Sequence, residues 1–182
     1  MRVIVCAGRL LPVVAALGLA MAVGGCADRG GSAYDPATGT SASPRVWDGT
    51  GSPPSIRGRY KLGSPYVVSG RTYVPMHEPD YDRVGIASWY GDAFHGRLTA
   101  NGEVFDMHAV TAAHPTLPLP SLVRVTSLDT GRSVVVRVND RGPFVADRII
   151  DLSRASATRL GLLQRGTGRV RVEYLGPAPL DG

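Results

Sequence analysis

The sequence has few residues that could form a disulfide, a metal site or a membrane span. Only two of its 182 residues are cysteines, Cys6 and Cys26, and both lie near the N-terminus. The four histidines show neither HxxxH nor HExxH spacing, so we predict no metal and no cofactor. The longest apolar run covers residues 10–23. It is shorter than the roughly 20 residues that a membrane-spanning helix needs.

Lysine is almost absent, although the formal net charge is +5. Lys61 is the single lysine, and the other cations are arginines that occur singly, without interleaved aromatic residues. This pattern predicts that the protein does not bind nucleic acid. The 23 glycines and 14 prolines disfavour a helical bundle and favour a β fold with many loops.

The first 26 residues have the pattern of an export signal. Arg2 and Arg9 give a positively charged region before the apolar run, and Gly24-Gly25-Cys26 follows the run. This ending resembles a bacterial lipobox, which implies a lipid anchor on Cys26 and removal of residues 1–25. Ala27 then implies sorting to the outer membrane. An ordinary signal peptide that happens to contain a cysteine is the alternative.

The composition divides the rest of the chain into four parts. We predict a flexible, disordered tether over 26–58, a short N-terminal extension over 59–83, a folded domain over 84–176 and a tail over 177–182. The extension contains apolar residues on both sides of Ser69-Gly70, which is typical of a short hairpin.

The folded domain reads as mainly β. Alternating or apolar segments predict strands over 84–90, 122–128, 133–139, 148–152 and 168–175. Ser153 is placed to cap a short helix over 154–160, which Gly161 would end. About six short strands, one or two short helices and long loops suggest a small closed barrel.

Polar residues concentrate in three segments that we predict as loops: 99–106, 111–115 and 138–144. They contain Glu103, Asp106, His114 and Asp140. Asp140 directly follows an apolar strand, which is a usual place for a functional group. Each residue also has a structural interpretation, since turns, caps and ion pairs use the same side chains. Spacing alone therefore supports only an exported β domain with an acidic cleft.

Five motifs occur in order in the folded domain, at 85–91 (GIASWYG), 99–106 (TANGEVFD), 111–121 (TAAHPTLPLPS), 136–143 (VRVNDRGP) and 148–153 (RIIDLS). Together they resemble the rare lipoprotein A (RlpA) family. The resemblance runs from about residue 84 to residue 176.

The resemblance implies a six-stranded double-psi β-barrel that acts on peptidoglycan as an endolytic lytic transglycosylase. It would cleave the β-1,4 bond between MurNAc and GlcNAc, prefer glycan stripped of stem peptides, and leave 1,6-anhydro-MurNAc ends. Family residues that matter for activity fall on Glu103, Asp106, His114 and Asp140. Many members also carry a C-terminal SPOR domain that binds septal glycan. We expect none here, because the sequence ends about six residues past the barrel.

We expect Asp140 to be the principal acid and base, since this cleavage needs a carboxyl that first donates and then accepts a proton. Glu103 would be the second carboxylate, with the two roles exchangeable. His114 would orient a carboxylate or bind sugar, and Asp106 would position the Glu103 loop.

Arg137 and Arg141 are candidates for pairing with the lactyl carboxylates of the glycan. Trp89 and Tyr90 are candidates for stacking on sugar rings, although a tryptophan in a strand more often belongs to the core.

Peptidoglycan and the membrane, through Cys26, are the expected partners, with amidases or division proteins as further candidates. The expected location is the cell envelope, on the periplasmic face of the outer membrane. Two readings compete with catalysis: a glycan-binding module without enzymatic activity, and a structural lipoprotein.

Overall fold

The structure is a computed structural model that describes residues 34–35 and 40–180. The predicted signal peptide, Cys26 and the start of the predicted tether lie outside these residues. No helix in the described part is long and apolar enough to cross a membrane. The elements, in chain order, are β1 (Tyr34–Asp35), β2 (Thr40–Ser41), β3 (Tyr66–Val68), β4 (Arg71–Tyr73), β5 (Asp82–Tyr90), β6 (Thr111–Ala113), β7 (Ser121–Ser127), β8 (Ser133–Asp140), β9 (Arg148–Ser153), α1 (Arg154–Leu160) and β10 (Gly168–Pro177).

Six strands close into a barrel in the order β10-β5-β9-β6-β8-β7, and β7 pairs back to β10. Two neighbouring pairs are parallel, β5 with β9 and β6 with β8, and the other four are antiparallel. The prediction of a mainly β, closed six-stranded barrel with a short helix is therefore confirmed.

The hairpin of β7 and β8 shows how the sequence builds the barrel. Val123 and Val125 point into the core and are fully buried, whereas the intervening Arg124 is exposed. This alternation is the period of two expected when one face of a strand is buried. Val136 and Val138 of β8 face the same core. Buried apolar side chains of the other strands and α1 complete it, together with Leu117, Leu119 and Leu162 from the connecting segments.

Helix α1 follows the predicted bounds. The Ser153 side chain accepts a hydrogen bond from the Ser156 N–H, and Gly161 ends the helix with φ of 73°. A positive φ is easily reached by glycine, which explains the stop. Ala157 and Leu160 are fully buried in the barrel core.

One prediction about the strands is wrong. Residues 111–115 were expected to form a loop, but Thr111–Ala113 is strand β6, which lies between β8 and β9 in the barrel. All three residues are buried. A three-residue strand is too short to show a periodic pattern, and two alanines carry little strand preference.

Two segments before the barrel pack on it. Strands β3 and β4 form the hairpin expected in the extension, and both turn residues, Ser69 and Gly70, have positive φ (50° and 76°). Within the predicted tether, the N–H groups of Val46 and Trp47 donate to the Gly96 carbonyl at 2.8 and 3.1 Å. The flexibility predicted for 26–58 stays a prediction.

Candidate active site

The polar motifs meet where β8 ends. Asp140 is the last residue of β8 and lies opposite Ala113 of β6. The His114 N–H donates to the Asp140 carbonyl at 3.0 Å, and the Asn101 N–H donates to the Asn139 carbonyl at 3.3 Å. The parallel pair β6–β8 therefore brings three separate stretches of sequence to one end of the barrel.

The Asp140 carboxyl is held by backbone donors. Its Oδ1 accepts hydrogen bonds from the N–H groups of Ala100 and Arg141, both at 2.8 Å. Burial raises the pKa of Asp140 to about 6, against the opposing effect of these two bonds and of the Arg141 and Lys61 charges. A carboxyl with a pKa near 6 can both donate and accept a proton near neutral pH.

The carboxyl of Glu103, in contrast, is held in its ionised form. Arg137 forms a bidentate ion pair with it, in which Nη2 donates to Oε1 at 2.5 Å and Nε donates to Oε2 at 3.1 Å. Asn101 and Asn139 each donate a further hydrogen bond at 2.8 Å. Burial acts to raise the pKa of Glu103, but these bonds outweigh it and hold the pKa below its ordinary value. Glu103 is therefore a fixed carboxylate that accepts four hydrogen bonds.

The Glu103 loop is a tight hairpin shaped by its own polar residues. The Thr99 N–H donates to the Glu103 carbonyl at 2.8 Å. Thr99 Oγ1 donates to Asn101 Oδ1 at 2.8 Å, and the Glu103 N–H donates to the same oxygen at 3.2 Å. Gly102 has φ of 95°, a conformation that favours glycine. These contacts fix Glu103 and Ala100 in position.

His114 is buried and neutral. Its Nδ1 accepts hydrogen bonds from the N–H groups of Thr116 and Leu117 at 3.2 and 3.1 Å, so the ring proton is on Nε2, which lies 2.9 Å from the Tyr81 hydroxyl. Burial lowers the pKa of His114 to about 3. The ring contacts no carboxylate within the described residues. It lines, with Tyr81, an open cleft of about 550 Å³.

Asp106 lies in a second cluster, with His95 and His108. Its Oδ1 accepts a hydrogen bond from the His108 N–H at 2.9 Å and lies 3.8 Å from His95 Nδ1. The three side chains offer possible metal-ligand atoms within 4.8 Å of one another. However, His95 Nδ1 already accepts the Met107 N–H at 3.2 Å. Asp106 thus braces the loop that follows Glu103.

The two arginines predicted to bind substrate are occupied by protein oxygens. Besides gripping Glu103, Arg137 donates to the Pro179 carbonyl at 2.6 Å. The Arg141 guanidinium donates to the carbonyls of Leu117 and Leu62 at 2.5 and 2.6 Å. Their predicted role in binding glycan carboxylates stays a prediction. In this structure both side chains hold neighbouring segments in place through hydrogen bonds to backbone carbonyls.

The two aromatic residues predicted to stack on sugar also contact protein side chains, and their role in stacking stays a prediction. Trp89 is partly buried against the hydrophobic core. Tyr90 stacks on Phe105 with ring centroids 4.3 Å apart and meets Phe94 edge-on. The Tyr90 hydroxyl is buried and has no hydrogen-bond partner among the described residues. Burial, with the nearby Asp140 and Asp151 carboxylates, raises the pKa of Tyr90 well above its ordinary value.

Sequence reasoning assigned no site role to four residues: Lys61, Tyr81, Asn101 and Asn139. Asn101 and Asn139 complete the set of donors around Glu103, and both stand inside the recognised motifs. Lys61 and Tyr81 precede those motifs. The one sequence signal that points to Lys61 is that it is the single lysine in a chain whose other cations are arginines.

The site thus lies on a small closed β-barrel and contains one buried, protonatable carboxyl, that of Asp140, and one fixed carboxylate, that of Glu103. Such a pair of groups is suited to acid–base chemistry. The family described as lytic transglycolase (DPBB_1) matches residues 82–174, about half of the chain. The chain therefore belongs to this family.

Individual relatives align over a longer stretch than the family model. The chain is 61% identical over 115 residues to the endolytic peptidoglycan transglycosylase RlpA of Pseudomonas aeruginosa, covering 63% of this chain and 34% of that protein. The protein of the same name from Neisseria meningitidis is 53% identical over 113 residues, covering 62% and 47%. Among solved structures, the Streptomyces papain inhibitor has a TM-score of 0.45 and 24% identity, covering 55% of this chain and 99% of the inhibitor. The chain spans between a third and a half of the length of these two RlpA relatives.

Proposed function

We propose that this protein is an endolytic lytic transglycosylase that cleaves the β-1,4 bond between MurNAc and GlcNAc in peptidoglycan glycan strands. Membership of the lytic transglycolase family supports the reaction class, and the names of the relatives supply the substrate class. The observation that carries the proposal is the contrast between two carboxyl groups. Asp140 has a pKa of about 6, whereas Glu103 is held ionised.

The reaction needs no added water. Protonated Asp140 donates its proton to the glycosidic oxygen as the bond from that oxygen to C1 of MurNAc breaks. The C6 hydroxyl of the same MurNAc then attacks C1 and gives its proton to the Asp140 carboxylate. The products are a free GlcNAc hydroxyl and a 1,6-anhydro-MurNAc end, and Asp140 is again protonated. One carboxyl can serve both steps because the internal hydroxyl replaces the activated water of an inverting glycosidase.

The fixed carboxylate of Glu103 suits a different task. A group held ionised by Arg137, Asn101 and Asn139 is a poor proton donor, so the exchange of roles between Glu103 and Asp140 is disfavoured. A permanent negative charge can stabilise the positive charge that develops on the sugar ring in the transition state. We therefore assign Glu103 to electrostatic stabilisation.

His114 and Asp106 act by positioning in this proposal. Neutral His114 ties the turn after β6 to Tyr81, and its backbone N–H donates to the Asp140 carbonyl, so it helps to fix the end of β8. Asp106 fixes the turn that directly follows the Glu103 loop. Within residues 40–180, neither side chain forms a hydrogen bond or ion pair with Asp140, which is why we give the proton-transfer steps to Asp140 alone.

The proposal also covers substrate form and location. Strands stripped of stem peptides are the preferred substrate, and the protein resides in the cell envelope, on the periplasmic face of the outer membrane. A lipid on Cys26 would hold it there. Peptidoglycan glycan is the proposed partner, with amidases or division proteins as proposed further partners.

Product analysis tests the activity. Protein spanning residues 27–182 is incubated with intact peptidoglycan and with stripped glycan, and new 1,6-anhydro ends are counted by mass spectrometry. We expect such ends mainly from stripped glycan, and at least a hundredfold fewer from Asp140→Asn, in keeping with the usual loss of general acid–base catalysis (about 10²–10⁴). Asp147→Asn makes the same chemical change at an exposed position after β8 and should keep full activity. If folded wild-type protein binds glycan but forms no new ends, the proposed enzymatic activity is wrong, and the protein is instead a glycan-binding lipoprotein.

A further inference from the structure

A segment outside the family match lies against the site. Residues 58–62 precede the matched region, 82–174, yet they pair with two of its loops. The Arg59 N–H donates to the Asn101 carbonyl at 3.0 Å, and the backbones of Lys61 and Leu119 exchange two hydrogen bonds at 2.7 and 2.9 Å. We call residues 58–62 the site-facing segment.

The site-facing segment covers the Glu103 side of the site closely. Gly58 is buried, and a Cβ on it would lie 2.7 Å from the Glu103 side chain and from the Asn101 amide. A Cβ there would displace the Glu103 and Asn101 side chains, which hydrogen bonds hold in place, so this close approach favours glycine at position 58. At the other end of the segment, the Leu62 carbonyl accepts a hydrogen bond from Arg141 at 2.6 Å.

Lys61 connects this segment to the carboxyl of Asp140. Its Nζ donates to the Ala100 carbonyl at 3.0 Å. The N–H of the same alanine donates to Asp140 Oδ1 at 2.8 Å. Lys61 therefore fixes Ala100, whose N–H in turn fixes the carboxyl of Asp140. It also places an ammonium group near that carboxyl.

We propose, on the basis of the proposed function, that Lys61 is a positioning residue of the active site. Contributed from outside the barrel, it fixes Ala100 against Asp140 and supplies a positive charge that favours the carboxylate form of Asp140 after proton donation. The site is then complete only when the site-facing segment is docked on the barrel.

The charge of Lys61 acts on Asp140 together with three other titratable groups. Arg141 also favours the carboxylate, and the hydroxyls of half-buried Tyr66 and of Tyr90 interact with it as neutral groups. Once the Lys61 ammonium is removed, the rise in the pKa of Asp140 that burial causes is opposed by Arg141 and the two backbone N–H bonds. The pKa of Asp140 must therefore rise when a substitution removes the Lys61 ammonium, by on the order of half a unit for one partly screened charge.

The test is a titration of the Asp140 carboxyl carbon by NMR, with the signal assigned from its loss in Asp140→Asn. Lys61→Met keeps the length of the side chain and removes the ammonium, and Lys61→Gln serves if that variant does not fold. Arg59→Met is the matched control, because it removes an exposed cation two residues away in the same segment. Lys61→Arg tests rescue by charge.

We expect the Asp140 midpoint to rise in Lys61→Met, to stay unchanged in Arg59→Met, and to return toward the wild-type value in Lys61→Arg. The alkaline limb of the pH profile for anhydro-end formation should move in the same direction, while turnover falls. An unchanged midpoint in folded Lys61→Met, or an equal rise in Arg59→Met, overturns the inference. Because the titration needs no turnover, it decides the placement of Lys61 even if wild-type protein forms no anhydro ends and the proposed function fails.

Discussion

The buried carboxyl of Asp140 makes the free energy of unfolding depend on pH, and Asp140→Asn should remove that dependence. Asparagine resembles the protonated acid in shape and charge. Its Oδ1 can still accept the hydrogen bonds that Ala100 and Arg141 donate to Asp140. The substitution therefore removes the cost of a buried negative charge without removing those two acceptor contacts.

The pKa of Asp140 gives the size of this effect. The carboxyl titrates at about 6 in the folded protein against an ordinary value of 3.8. Because the folded-state value is raised, the folded state is most favoured while Asp140 is protonated, and stability is lost as the pH rises through about 6. A shift of about two units corresponds to about 3 kcal/mol. That figure is an upper bound, since part of the residue reaches solvent.

Urea unfolding of wild type and Asp140→Asn, at one pH below 3.8 and another well above 6, measures the difference. We expect the variant to be more stable by about 2 kcal/mol at the higher pH and equal to wild type at the lower one. The exposed control Asp147→Asn should follow wild type at both. A variant that is equal to or less stable than wild type at the higher pH would refute the reasoning about Asp140.

Two further predictions concern Glu103 and the lipid anchor. Arg137→Met should lower the free energy of unfolding at neutral pH by about 2 kcal/mol, because it leaves the largely buried Glu103 carboxylate without its charged donor. Arg171→Met, which breaks an equally short but half-exposed pair, should lower the melting temperature much less, and equal losses in thermal unfolding would contradict the account. Cys26→Ser should abolish incorporation of labelled palmitate and release the protein from the membrane fraction; retained labelling would refute lipidation at Cys26.

Elements with a strong local signal were predictable from the sequence. Alternating residues define the β7–β8 hairpin, and Ser153 and Gly161 mark the ends of α1. Strand β6 was missed because three buried residues give no period. Its place between β8 and β9 is set by barrel closure, which is a long-range property of the chain.

Only part of the candidate site was likewise predictable from the sequence. Family motifs identified Glu103 and Asp140, but their different ionisation states follow from three-dimensional contacts. Arg137 lies 34 residues from Glu103 in sequence, and their pairing becomes visible only in the folded barrel. Lys61 lies further outside the motifs, and its contact with Ala100 spans 39 residues. Side chains predicted to bind substrate, such as Arg141, are engaged by backbone carbonyls that no sequence pattern reveals.

The central claim is that Asp140 drives cleavage of glycan by an internal hydroxyl rather than by water. Digestion of stripped glycan in isotopically labelled water, followed by mass spectrometry of the new ends, tests it most directly. The account predicts 1,6-anhydro-MurNAc ends that contain no label and that disappear in Asp140→Asn. Labelled reducing MurNAc ends would show hydrolysis instead and would contradict the account.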